Sequence, residues 1–159
     1  MKALGYEVKE RKKFMIERSK HFCRMRQELE AIYDDYARTI GISYTTLFIL
    51  NFISQYEDCT QKIICEKTML PKQTVNNVIK KLLDQGYIQL EAFHENQKTK
   101  KITFTENGKQ YAEPLIQHIQ TAECEAMNHF SKSHQKEFIK LMKQYVLEFR
   151  EAMQKKERV

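Results

Sequence analysis

The stretch TQKIICEKTMLPKQTVNNVIKKLLDQGYIQL, residues 60–90, decides the fold. Gln61 to Lys67 carries a short helical pattern, and Thr68-Met69-Leu70 breaks it. A second helix is expected to open at Pro71, because proline's missing N–H would have no intrahelical partner at a first helical position. Val75, Val78, Ile79 and Leu82 then recur at i, i+3, i+4 and i+7, a single apolar stripe. Gln73, Asn76, Asn77, Lys80, Lys81 and Asp84 occupy the other face. Amides and ammonium groups on one helix face suit the base edges and phosphates of a duplex. Gly86 ends the helix, and YIQLEAF begins at once as a strand. Helix, tight turn, amide-bearing helix and strand follow each other in the order of a winged helix-turn-helix.

On the C-terminal side, Ile88, Leu90 and Ala92 alternate with Gln89 and Glu91. A polar run, His94 to Lys101, leads to a second alternating segment, ITFT, at 102–105. Two alternating strands joined by a polar, lysine-bearing tip read as a β-hairpin, the wing. On the N-terminal side, YTTLFILNFISQY (44–56) is apolar nearly all round and belongs at the centre of a domain. Ser43 and Thr60 are the expected N-caps of the two helices that follow them.

Both ends of the chain read as long amphipathic helices. Residues 7–39 contain neither Gly nor Pro, and Phe22, Met25, Leu29, Ile32 and Tyr36 form a 3-4-3-4 seam. Residues 106–130 carry Ala112, Leu115, Ile116, Ile119, Ala122 and Met127 on one side. Ser131-Lys132-Ser133 makes a break and a new cap, and Phe138, Met142, Tyr145, Phe149 and Ala152 form the last seam. Seams without a partner inside so small a module are expected to pack on a second copy, giving a two-fold homodimer.

Composition limits the alternatives. Four Gly and two Pro among 159 residues favour long helices over a turn-rich β fold. No run of 18 apolar residues occurs and the first residues lack a signal-peptide core, so a soluble, cytoplasmic protein is expected, associated with the nucleoid when on DNA. The four cysteines, at 23, 59, 65 and 124, lack metal-finger spacing and are expected as reduced thiols. No phosphate-cradling glycine loop, nucleophile elbow or metal-ligand cluster is present, so neither an enzyme nor a cofactor or metal protein is expected. The net charge is +6, with eight Lys against four Asp and Glu in residues 61–101 and eight basic against four acidic residues in 131–159. That surplus covers the reading module, as a phosphate-binding surface requires, but it covers the C-terminal tail too.

Taken together, GISYTTLFIL (41–50), LPKQTVNNVIKKLLDQGYI (70–88) and ITFTENGKQYA (102–112) resemble a MarR-family transcriptional regulator over nearly the whole chain. The resemblance implies a mainly α-helical fold with a small β-hairpin wing (α+β). Residues 43–105 would be the winged DNA-binding domain, and residues 1–42 with 106–159 a helical dimerisation region. It implies a homodimer on a palindromic double-stranded operator, a repressor released by a small-molecule effector. Carried over position by position, Lys72, Gln73, Thr74, Asn76, Asn77 and Lys80 are placed at the major groove. At the wing the family's Asp-x-Arg tip is replaced by Asn96, Gln97 and Lys98, which leaves two readings: Lys98 enters a narrow minor groove as a point charge without the guanidinium fork, or Gln97, Lys98 and Lys100 touch only the backbone. His21 and His118 are candidates for an effector pocket between the helical region and the winged module. Cys23, with Lys20, Arg24 and Arg26 near it in sequence, is the candidate for an alternative, thiol-based switch. The competing class is a winged-helix module that binds protein or RNA.

Overall fold

The computed structural model describes the backbone of residues 2–93 and 96–156, and the side chains of 9–92 and 99–155. Its elements run α1 (Lys2–Thr39), α2 (Tyr44–Gln55), α3 (Gln61–Thr68), α4 (Lys72–Asp84), β1 (Ile88–Phe93), β2 (Asn96–Phe104), α5 (Glu106–Asn128) and α6 (Lys132–Lys156). The chain forms two compact units, Met1–Ala112 and Glu113–Val159. The fold class is the expected one: mainly helical, with a two-stranded antiparallel hairpin.

The core of the first unit lies where α2 and α4 pack on each other and on the hairpin. Leu47, Ile49 and Leu50 of α2 are buried, as are Ile64 of α3 and Val75, Ile79 and Leu82 of α4. Ile88 and Ile102 complete this layer from β1 and β2. The near-uniform apolarity of α2 is explained by neighbours on several sides: α1, α4 and β2 all contact it. Tyr44 of α2 also meets Tyr33 of α1, with ring centroids 6.0 Å apart.

Element ends follow local chemistry. Ser43 caps α2 by accepting from the Thr46 N–H at 3.1 Å, and Thr60 caps α3 by accepting from the Ile63 N–H at 3.2 Å. α1 and α4 stop in the same way. Ile42 N–H donates to Ala37 O at 3.0 Å and Tyr87 N–H to Leu82 O at 3.0 Å, with Gly41 (φ +74°) and Gly86 (φ +70°) in the left-handed position between. That paired-bond ending places a residue without a Cβ where φ must be positive. α3 ends differently, on Met69 at φ 59°, a conformation that disfavours side chains.

Several boundaries differ from the sequence reading: α1 begins at Lys2 rather than residue 7, α5 ends at Asn128 rather than 130, and two differences fall within the winged module. Pro71 is the N-cap of α4 rather than its first helical residue, with ψ 138°. Its carbonyl still accepts the Val75 N–H at 3.1 Å, so the helix starts one residue later without losing a bond. The polar run after His94 is mostly strand: β2 begins at Asn96, and Lys100 and Lys101 pair with Ala92 and Glu91. Backbone pairing to β1 tolerates polar side chains because alternate residues of a two-stranded ribbon face water. The register shifts at Ala92/Phe93, and His94 lies outside the described residues.

The segment FTENG joins the hairpin to α5. Thr105 O–H donates to Gly86 O at 2.7 Å, and its oxygen accepts the Gly108 N–H at 2.9 Å. Thr105 N–H donates to Tyr87 O at 3.1 Å. Gly108 lies so close that a Cβ on it would stand 1.7 Å from Tyr87 O. With the backbone in this contact, Tyr87 and Tyr111 stack at 4.1 Å with ring planes 4° apart. The start of α5 is thereby locked to the end of α4.

In the second unit, Ser131 caps α6 by accepting from the His134 N–H at 3.2 Å. Gln135 reaches back, its side-chain N–H donating to Met127 O and Phe130 O, both at 3.1 Å. Pro114 sits inside α5 and removes one rung of its hydrogen-bond ladder.

Candidate nucleic-acid interface

α4 turns one face into the core and leaves the other in solvent. Val75, Ile79 and Leu82 are buried, whereas Lys72, Gln73, Asn76, Asn77 and Lys80 are exposed. Thr74 is half-buried. The five exposed residues therefore share one rigid platform, and Lys72 stands at its N-terminal end.

Two of them are coupled. Gln73 Nε2 donates to Asn77 Oδ1 at 3.0 Å, one helical turn apart. This bond holds the Asn77 carboxamide with its oxygen toward Gln73 and leaves the NH₂ group as the outward donor. Asn77 in this arrangement suits an acceptor on a base edge, such as a purine N7, rather than the two-point adenine contact of a free amide.

The hairpin is fixed beside α4 by contacts that span the sequence. Ile102 N–H donates to Cys59 O at 2.7 Å, tying β2 to the segment that precedes α3. Lys101 Nζ lies 3.1 Å from Asp58 Oδ1. On the face opposite Ile102, Thr103 O–H and Gln89 N–H both donate to Glu91 Oε1, at 2.8 and 2.9 Å. The Thr103 bond, then that from Gln89, hold the Glu91 carboxyl below its ordinary pKa, with Lys101 adding to the effect. These links were not legible in the sequence, since Asp58 and Lys101 are 43 residues apart. Of the expected wing residues, Lys100 is exposed, whereas the side chains of Gln97 and Lys98 lie outside those described.

The remaining candidates lie on α1 and α5, outside the winged module. His21 is exposed on α1 and His118 on α5. Cys23 is exposed on α1, and its neighbour Arg26 pairs with Glu30. Cys59 is buried, and burial pushes its thiol up to about 11. Among the described residues, no group of three or more His, Cys, Asp or Glu could hold a metal ion. No described helix is long and apolar enough to cross a membrane.

A capped helix, a tight turn, an exposed amide-bearing helix and a hairpin pinned beside it define a winged helix-turn-helix of the kind found in transcriptional regulators. A sequence model of the MarR family matches residues 40–97, so the winged module is similar to that family over most of its length. The chain is similar to the HTH-type transcriptional regulator SarZ of Staphylococcus epidermidis, with 28% identity over 83 residues, 52% of this chain. It thereby spans 56%, little more than half, of that curated relative's length. In fold it is similar to NMB1585, a MarR family regulator from Neisseria meningitidis, with a TM-score of 0.73 and 23% identity. That likeness covers 85% of this chain and 95% of the other. It is similar also to S. aureus MepR, solved as a DNA complex, with a TM-score of 0.68 and 16% identity over 82% of this chain and 96% of that one.

Proposed function

We propose that this protein is a sequence-specific double-stranded DNA-binding transcriptional regulator, a repressor rather than an enzyme, which acts in the cytoplasm as a homodimer. The single observation that carries the reading is the solvent face of α4. It offers three lysines (Lys72, Lys80 and Lys81) and three amides on a helix whose other face is anchored in the core. A helix of these dimensions enters the major groove, where amides meet base edges and lysines meet phosphates. MepR, which shares the fold, is seen on DNA. Lys100, with Gln97 and Lys98, touches the flanking backbone.

The helical ends, residues 1–42 and 106–159, serve as the dimerisation region. Met25, Leu29 and Ile32 on α1 are exposed, as are Phe138, Tyr145 and Phe149 on α6. A second copy that covers these seams sets two α4 helices on half-sites about 10–10.5 bp apart, centre to centre. A small-molecule effector that binds the free protein better than the bound one releases the operator.

Selection of bound fragments from genomic DNA, followed by titration at two salt concentrations, tests this reading. Asn77→Ala is expected to weaken the selected site by about threefold to tenfold while leaving random DNA nearly unaffected, the loss of one base-edge hydrogen bond, about 0.5–1.5 kcal/mol. Equal losses on both DNAs would reduce Asn77 to a positioning role. Retention of RNA or protein in place of duplex would favour an interaction module. Cys23 provides the thiol-switch alternative, and operator binding indifferent to peroxide in wild type and Cys23→Ser dismisses it.

A further inference from the structure

The turn between α3 and α4 contains the one non-glycine residue of positive φ among the described residues, Met69 (φ 59°, ψ 15°). In this left-handed conformation a Cβ crowds the following carbonyl oxygen, a cost that glycine avoids. The bonds that hold the turn do not involve the Met69 side chain. Met69 N–H donates to Cys65 O at 2.9 Å. Thr68 O–H donates to Ile64 O at 2.6 Å, and its oxygen accepts the Leu70 N–H at 3.2 Å. At 85%, Met69 is also the most exposed large apolar residue among the described residues. Backbone strain and an uncovered apolar group thus coincide at one position, and packing within the chain offsets neither. Strain held in place by its surroundings points to a use outside the fold.

The surroundings of Met69 define what it can meet. Lys67, two residues before it, and Lys72, three after it, are both exposed. Glu66, the nearest carboxylate in sequence, lies 3.8 Å from Lys62. Cations on either side favour a polyanion as the partner. The turn leads directly into α4, whose exposed face carries Gln73, Asn76 and Asn77. Among the base edges in a major groove, the apolar group is the thymine C5-methyl.

We propose that Met69 is a specificity-determining residue that packs its thioether on a thymine methyl beside the bases met by the head of α4. This contact rests on the DNA-binding reading above. The flexible, polarisable side chain adapts to the methyl, and burial on the duplex offsets the strain carried by the free protein.

Two substitutions separate backbone from side chain. Met69→Gly and Met69→Asn both suit the left-handed region and both lack the apolar body. Each is expected to unfold at a urea midpoint no lower than that of wild type, yet to bind the selected operator about tenfold more weakly, with random duplex nearly unaffected. Uracil in place of thymine, introduced at one symmetry-related pair of positions at a time, then removes two methyl groups per operator. At one pair, wild type is expected to lose about tenfold, the worth of two buried methyl groups, whereas the variants lose nothing further. A wild type that selects no duplex overturns the DNA-binding reading and this contact with it. Where wild type does select an operator, three results overturn the contact alone: variants that bind it as tightly as wild type, equal losses on selected and random duplex, or uracil effects that are the same in all three proteins. A lowered urea midpoint in both variants overturns it too, because the side chain then serves the fold.

Discussion

Gly108 shows how one residue decides a junction. Its missing Cβ lets α5 press against the Tyr87 carbonyl, the contact that Thr105 reinforces from both sides. Gly108→Ala forces that methyl into backbone, which cannot move aside as a flexible side chain does. The substitution is expected to cost about 3 kcal/mol or more, read as a lower urea midpoint with an unchanged slope. A loss below about 1 kcal/mol would show that the junction relaxes. Cys59 makes a second test at this scale. Its folded thiol titrates near 11 against an ordinary value of 9.0, because burial disfavours the thiolate. A raised folded pKa means that its contribution to stability is fully present below about pH 9 and is lost as pH rises toward 11. Within that window the slope is at most about 1.4 kcal/mol per pH unit. Denaturation of wild type and Cys59→Ala from pH 8 to 11 is expected to show the steeper decline in wild type; parallel curves would dismiss the effect.

At the scale of elements, the exposed face of α4 carries a coupled pair and not only a row of independent side chains. The Gln73–Asn77 bond predicts that the two residues contribute non-additively to DNA discrimination. Gln73→Ala, Asn77→Ala and the double variant, measured on selected and random duplexes, form the cycle. A coupling of about 0.5 kcal/mol or more is expected, and strict additivity would mean that the pair separates on DNA. The hairpin depends on its neighbours too. A two-stranded ribbon is marginal alone. Here Ile102 is tied to Cys59, Lys101 to Asp58, and Ile88 and Ile102 are buried against the helices. The base of the wing is therefore part of the core, while its Lys100 remains in solvent.

At the scale of the molecule, each terminal helix presents an apolar seam that the chain itself leaves in water. Leu29 is 54% exposed and Phe149 is 55% exposed. Covering such residues stabilises an assembly by about 25 cal/mol per Å² of apolar surface removed from water. The wild type is expected to sediment as a dimer at micromolar concentration. Leu29→Arg with Phe149→Arg is expected to sediment as a monomer of unchanged helicity, because neither side chain is buried within the single chain. A wild type that stays monomeric, or a variant that still dimerises, would remove the seams from the assembly.

How much was legible in the sequence differs by level. Helical periodicity marked α1, α4, α5 and α6, because burial of one face imposes a 3.6-residue repeat on composition, whereas α2 was legible from its near-uniform apolarity. The break at Thr68–Leu70, the caps at Ser43 and Thr60, and the stops at Gly41 and Gly86 were equally readable, since each depends on a few adjacent residues. The exposed face of α4 followed from the same stripe that buries Val75, Ile79 and Leu82. The start of α4 was misplaced by one residue because proline satisfies the geometry of both positions. Strand β2 was read too short because its outer half is polar, and only pairing with β1 marks it as a strand. The amide bond within α4, the Cys59–Ile102 and Asp58–Lys101 ties and the close approach at Gly108 belong to the tertiary structure alone. Local sequence sets propensity and periodicity. Which distant groups come within 3 Å, and which apolar side chain is left uncovered, is decided only when the elements pack.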